Sequence, residues 1–228
     1  MRKSRSVSSF LSSQETISGF CYLAFQLIFL PSLLTWLNGQ LDHPLPSAEL
    51  NFVFYLVNFI AMLLIFHDFL SRSLHQVGQH PAYFCQAVIL GFVAYYACYY
   101  ATEHLVSILV SSFSNYNDEA IAAMSRGNYF LMVILVPPVE ECFYRGLIFR
   151  NLYGKSRWAA YAVSILAFAL IHIVGYIGKY SAVELIIAFL QYLPAGLCLA
   201  WSYAKADTIF APILIHAAIN FITINGIR

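Results

Sequence analysis

Seven apolar runs dominate this chain, at residues 17–37, 50–66, 83–100, 129–149, 158–174, 183–201 and 209–225. Each is long enough for a helix to cross a hydrocarbon layer about 30 Å thick. In lipid every backbone N–H and C=O must find its partner inside the segment, so runs of this kind fold as helices. The expected fold is therefore all-α, a polytopic transmembrane bundle of about seven helices. Composition agrees, since 61% of the 228 residues are hydrophobic and 10% charged, against roughly 25% charged in a soluble domain. A water-soluble globule and an intrinsically disordered chain are both excluded. A formal net charge of +1 leaves no basic field for nucleic acid. Cys21, Cys85, Cys98, Cys142 and Cys198 lie in apolar runs without CxxC spacing. They read as small buried hydrophobes, not as a disulfide frame or a zinc site.

The first run follows Arg2, Lys3 and Arg5 and lacks a small-x-small cleavage site, as a retained signal anchor does. Counted from an inside N-terminus, the cytoplasmic side receives Arg2, Lys3, Arg5, Arg72, Arg145, Arg150, Lys155, Arg157 and Lys205. Arg126, Lys179 and Arg228 fall outside. This asymmetry satisfies the positive-inside rule and places the N-terminus in the cytoplasm of a multi-pass protein. The connections are short, so the function is expected to reside in the helices. Residues 101–114, apolar but carrying Glu103 and His104, either extend the third helix or lie along the interface and are left unassigned.

A charge inside a span costs several kcal/mol, so intramembrane ionisable residues are functional candidates with an expected partner. The strongest stretch is Pro137-Pro138-Val139-Glu140-Glu141-Cys142-Phe143-Tyr144-Arg145-Gly146. Two prolines are expected to break the helix before Glu140. The restarted helix then holds Glu140 and Glu141 in its first turn, where free N–H groups and the positive dipole end favour anions. Glu141 and Arg145 are four apart and share a face, while Glu140 points about 100° away. One carboxylate is thus structural and the other reactive. The plain alternative is a helix end decorated with charges. His172 in the fifth run, and His216 with Asn220 four residues on in the seventh, aim further hydrogen-bonding groups into the bundle. Glu184, with Lys179 and Tyr180, reads as an ordinary helix start. The pairs Tyr95-Tyr96 and Tyr99-Tyr100 read as interface belts and core surface. No HExxH, no GxS with a suitable histidine and no GxGD is present.

In this order and spacing, Glu140-Glu141-xxx-Arg145, Phe168-xxx-His172 and His216-xxx-Asn220 resemble the signature of the CAAX-protease and bacteriocin-processing intramembrane endopeptidases, the CPBP or Abi family. The resemblance covers about residues 129–225, including Arg145-Gly146-Leu147 and the Gly196 region. It divides the chain into N-terminal helices and loops, 1–128, and catalytic core helices, 129–228. It implies an intramembrane endopeptidase of bacterial type in the cell membrane, of glutamate or metalloprotease chemistry. Its partners are the lipid bilayer and a membrane-associated peptide or protein substrate, a bacterial peptide fitting better than a prenylated one. Nothing in the residues specifies an oligomer.

Peptide hydrolysis without a covalent nucleophile needs a base for water, donors for the oxyanion and exclusion of bulk solvent. Glu140 is assigned as the base, with His172 positioning the same water. His216 and Asn220 are the oxyanion donors, and Glu141 with Arg145 fixes the broken helix. Two cofactor readings stay open: none, or a zinc ion held by Glu140, His172 and His216. The absence of a compact ligand pair on one helix favours the first. Access is expected from the cytoplasmic side or laterally from the bilayer. Counted along straight helices through a layer ~30 Å thick, Glu140 lies ~18 Å in from Asn128 at the outer face and His172 ~21 Å in from Trp158 at the cytoplasmic face, which leaves His172 ~9 Å nearer the outside. The rival readings are a bacteriocin-immunity or scaffold protein of the same fold and, without repeats to support it, a proton-coupled transporter.

Overall fold

The computed structural model describes residues 11–110, 113 and 130–226, and among these every regular element is a helix. The nine described helices are α1 (Ser13–Ile28), α2 (Leu30–Asn38), α3 (Ser47–Ile65), α4 (His67–Gln79), α5 (Pro81–Leu109), α6 (residues 131–153), α7 (Arg157–Val174), α8 (Ala182–Ala206) and α9 (Phe210–Gly226). Of the cations used above for orientation, Arg2, Lys3, Arg5, Arg126 and Arg228 lie outside the described residues, as does Asn128.

Each apolar run meets a helix, but not every helix is a full span. α3, α5, α7 and α8 are long and apolar enough to cross a membrane, and α1 with α2, bent by 49° at their break, make a fifth if taken together. The bend follows from Pro31, which starts α2 at its first turn and cannot donate to the end of α1. α9 has 17 residues, and α6 is assembled from short α and π pieces. Residues 101–109 continue α5, one of the two alternatives left open for them. One element escaped the sequence reading. α4 is a short amphipathic helix that buries Phe69 and Ser73 while exposing His67 and Asp68.

α5 and α8 run antiparallel through the centre. Gln191 donates to Glu103 at one end, and Gly91 lies against Ser202 and Ile215 at the other. A Cβ on Gly91 would sit 2.8 Å from Ile215 Cδ1 and 3.1 Å from Ser202 Cβ, so a larger residue here has to displace the Ile215 side chain.

The two ends of the bundle differ. One end gathers the start of α1, α4, the α6–α7 turn and the α8–α9 turn. Here Glu15 accepts from the Phe69 and Ser12 amides (both 2.7 Å) and from Arg72 (2.8 Å). Thr208 donates to the Ser73 carbonyl (2.8 Å), and Arg150 donates to Asp207 (3.4 Å), whose left-handed backbone closes α8. Phe66, Phe69, Phe143, Phe149, Tyr203 and Ile209 fill the space above these ties. The other end gathers the start of α3, the end of α5, the α7–α8 turn and the end of α9, and it opens into a cavity.

Candidate active site

The expected break at Pro137 and Pro138 does not occur. α6 runs through both prolines, because the preceding turn, Leu131–Leu135, is widened to π spacing, so that the Val136 N–H reaches back to Leu131 O. A widened turn relieves the clash that a proline ring makes with the carbonyl four residues earlier. In that spacing the next donor, to Met132 O, is residue 137, and proline has no N–H. Asn220 on α9 fills the place, donating from Nδ2 to Met132 O at 2.8 Å. Glu140 and Glu141 therefore lie inside a continuous helix, and the free N–H groups of a first turn are not what holds them.

Glu141 and Arg145 pair as their spacing requires, at 2.9 Å and with no exposed side-chain surface on either. Arg145 also donates to Gly196 O (3.2 Å) and lies 4.3 Å over the centre of the Phe168 ring. Glu141 Oε1 accepts a second bond, 2.8 Å from His216 Nδ1. A carboxylate facing a guanidinium is an acceptor, so the His216 proton sits on Nδ1. Gly196 brings its carbonyl close because α7 crosses it tightly; a Cβ there would meet Ile165 Cγ2 at 3.0 Å.

Glu140 takes the other side of α6 and faces His172 on α7, Oε2 to Nε2 at 3.8 Å. His172 Nδ1 lies 2.7 Å from Phe168 O. A carbonyl only accepts, so Nδ1 carries a proton. Glu140 Oε2 is buried and has no hydrogen-bond partner. The carboxylate and the imidazole thus face each other across a gap. Tyr192 on α8 stacks on the imidazole (4.3 Å between centroids, 26° between planes), and Phe168 flanks it at 4.6 Å. The depth difference counted along straight helices disappears.

Above these groups lies a cavity of about 920 Å³. Glu140, His172, His216 and Asn220 line its deep part, but much of its wall comes from helices that carry no motif: Asn51 and Tyr55 on α3, and Tyr95, Tyr96, Tyr99 and Glu103 on α5. The sequence reading placed Tyr95, Tyr96 and Tyr99 in belts and packing surface and left Glu103 open between a helix end, a proton path and a substrate contact. Their spacing, one face of α5 from Tyr96 through Tyr99 to Glu103, was the available signal. Tyr192 had none, because its partner lies on another helix. Glu184, as expected, only starts a helix, in a reciprocal cap with Ser181.

Among the described residues no three His, Cys, Asp or Glu side chains are grouped to hold a metal ion. His172 and His216 each commit Nδ1 to a protein acceptor, a bond that a histidine ligating a metal through Nε2 also makes.

Residues 123–222 match the model of the Rce1-like family, described as type II CAAX prenyl endopeptidase Rce1-like. The match covers less than half of the chain and is a likeness of that segment. The matched segment holds Glu140, Glu141, Arg145, His172, His216 and Asn220, while the α3 and α5 walls lie outside it. The UPF0177 protein YbdI of Lactococcus lactis subsp. lactis (strain IL1403) is 28% identical over 96 residues, which is 42% of this chain and 46% of that protein. The chain thus spans under half the length of this curated relative. No solved structure matches. With an Rce1-like segment and at least four helices of spanning length, the chain is a multi-pass integral membrane protein.

Proposed function

We propose that this chain is an intramembrane endopeptidase that hydrolyses a peptide bond of a membrane-associated peptide or protein, with Glu140 as the general base. The observation that carries this reading is the carboxylate–imidazole pair, Glu140 Oε2 and His172 Nε2, 3.8 Å apart in the deep part of the cavity. A water held between them can pass a proton to Glu140. In the proposed step the water oxygen attacks the peptide carbonyl carbon as its proton passes to Glu140. Glu140 then returns that proton to the nitrogen as the C–N bond breaks.

The developing oxyanion needs donors. His216 Nε2 donates only when the ring carries both protons, because Glu141 already holds the one on Nδ1. Asn220 keeps a second amide N–H beside the one on Met132 O. A donor of this kind is worth about 3 to 4 kcal/mol of barrier. Glu141 and Arg145 act on His216 and on α6, as positioning residues.

The test compares membrane and secreted peptides, by mass spectrometry, from cells expressing wild type, Glu140→Gln or His172→Ala at matched levels. New peptide termini are expected with wild type, none with Glu140→Gln and few with His172→Ala. Identical peptide sets from wild type and Glu140→Gln overturn the reading.

A further inference from the structure

We propose that the substrate peptide reaches this site from the non-cytoplasmic side of the membrane. This rests on the proteolytic reading above and adds to it the compartment in which the substrate is presented.

The cavity has a direction. Among its exposed lining residues, Asn51, Gly175, Lys179 and Gly226 stand at the start of α3, after the end of α7, in the α7–α8 turn and at the end of α9. All of these belong to one end of the bundle. From there the wall descends past Glu103 and Tyr96 to Glu140 and His172, and its deepest lining residues, Phe168 and His216, are buried. Towards the opposite end the way is filled. Phe66, Phe69, Phe143 and Phe149 are all buried there, beneath the Glu15, Thr208 and Arg150 ties. Among the described residues a chain therefore meets Glu140 from the open end.

The cations give the two ends their sides. Arg72, Arg150, Lys155, Arg157 and Lys205 belong to the filled end, and among the described residues Lys179 alone belongs to the open end. In sequence, Arg2, Lys3 and Arg5 precede α1, which starts at the filled end. Arg126 precedes α6 and Arg228 follows α9, next to helix ends of the open side. Eight of twelve Lys and Arg residues thus fall to one end and three to the other, Arg145 being buried in the site. The positive-inside rule puts the end rich in Lys and Arg in the cytoplasm. The mouth then faces outward.

Sequence alone pointed to cytoplasmic or lateral access because it fixes which end is cationic but not which end is open. The substrate class that fits an outward mouth is a peptide already translocated, or the outer end of a membrane-protein segment. A cytosolic carboxy-terminus does not fit.

The experiment uses the full chain in intact cells, in a background with native cysteines replaced, and a membrane-impermeant maleimide as the probe. Lys179→Cys and Thr223→Cys, at the mouth, are expected to label in intact cells. Lys155→Cys, at the filled end, is expected to label only after permeabilisation. The bulky adduct at Thr223→Cys is expected to abolish Glu140-dependent termini, and Lys155→Cys cells given the same treatment keep them. Labelling of Lys155→Cys but not of Lys179→Cys and Thr223→Cys in intact cells overturns the proposal. So does cleavage that survives full modification at Thr223→Cys. Absence of Glu140-dependent termini in untreated cells overturns the proteolytic reading instead, and the labelling pattern still decides which way the cavity opens.

Discussion

Arg145 and its partner Glu141 expose no side-chain surface, and the guanidinium is held by Glu141, Gly196 O and the face of Phe168, with Nε left without a hydrogen bond. Removing one member of a buried pair strands the other, at a cost of about 3 to 5 kcal/mol. Arg145→Met is therefore expected to lower unfolding stability in detergent by that amount. Arg145→Lys recovers little, because an ammonium cannot reach both acceptors while lying flat on the ring. Glu140→Gln, on the other side of α6, should leave stability within about 0.5 kcal/mol of wild type while cleavage is lost. If Glu140→Gln destabilises as much as Arg145→Met, the division into structural and reactive carboxylates fails. That division was legible in sequence, because pairing at four residues is a local property of a helix. The partners that complete each side chain were not. Phe168 serves as the seat of Arg145, and Tyr192 covers His172; both contacts join different helices, where no spacing signals them.

At the scale of elements, α6 shows how a local rule can mislead when the geometry it assumes is replaced. The two prolines imply a break only if the turn before them is α-helical. With that turn widened the helix continues, and the debt moves to one carbonyl, Met132 O, which Asn220 satisfies from α9. Asn220→Ala is expected to cost about 1 to 2 kcal/mol of stability by leaving that carbonyl unpaired. In a Pro137→Ala background, where residue 137 regains its N–H, most of that cost should vanish. A double-mutant cycle on the unfolding free energy measures it. Simple additivity of the two substitutions rejects this account of the Asn220 contact. The apolar runs themselves were readable, because lipid forces helices wherever they occur. α4 was not, since a 13-residue amphipathic helix lies below the length of a span and carries its signal in one face.

For the whole molecule the asymmetry of the two ends has a dynamic consequence. The filled end is held by three polar ties between distant segments and by a cluster of aromatic side chains. The open end surrounds a cavity of about 920 Å³ and is tied by Gln191 to Glu103 and Asn220 to Met132. Local opening is cheapest where few buried contacts are lost. Hydrogen exchange in nanodiscs is therefore expected to be faster in the last two turns of α5 and the first turn of α8 than in the first turn of α4 and the last of α8. Both sets contain helix ends at a lipid interface, so end fraying and bilayer shielding affect them alike. Glu15→Ala removes the acceptor of Phe69 N–H and Arg72, and should raise exchange through residues 67–73 while leaving 101–108 unchanged. Equal protection at the two ends, or a Glu15→Ala effect that spreads to the end of α5, would show a bundle that opens as a single unit. The outward mouth would then not be the softer end through which a peptide is admitted.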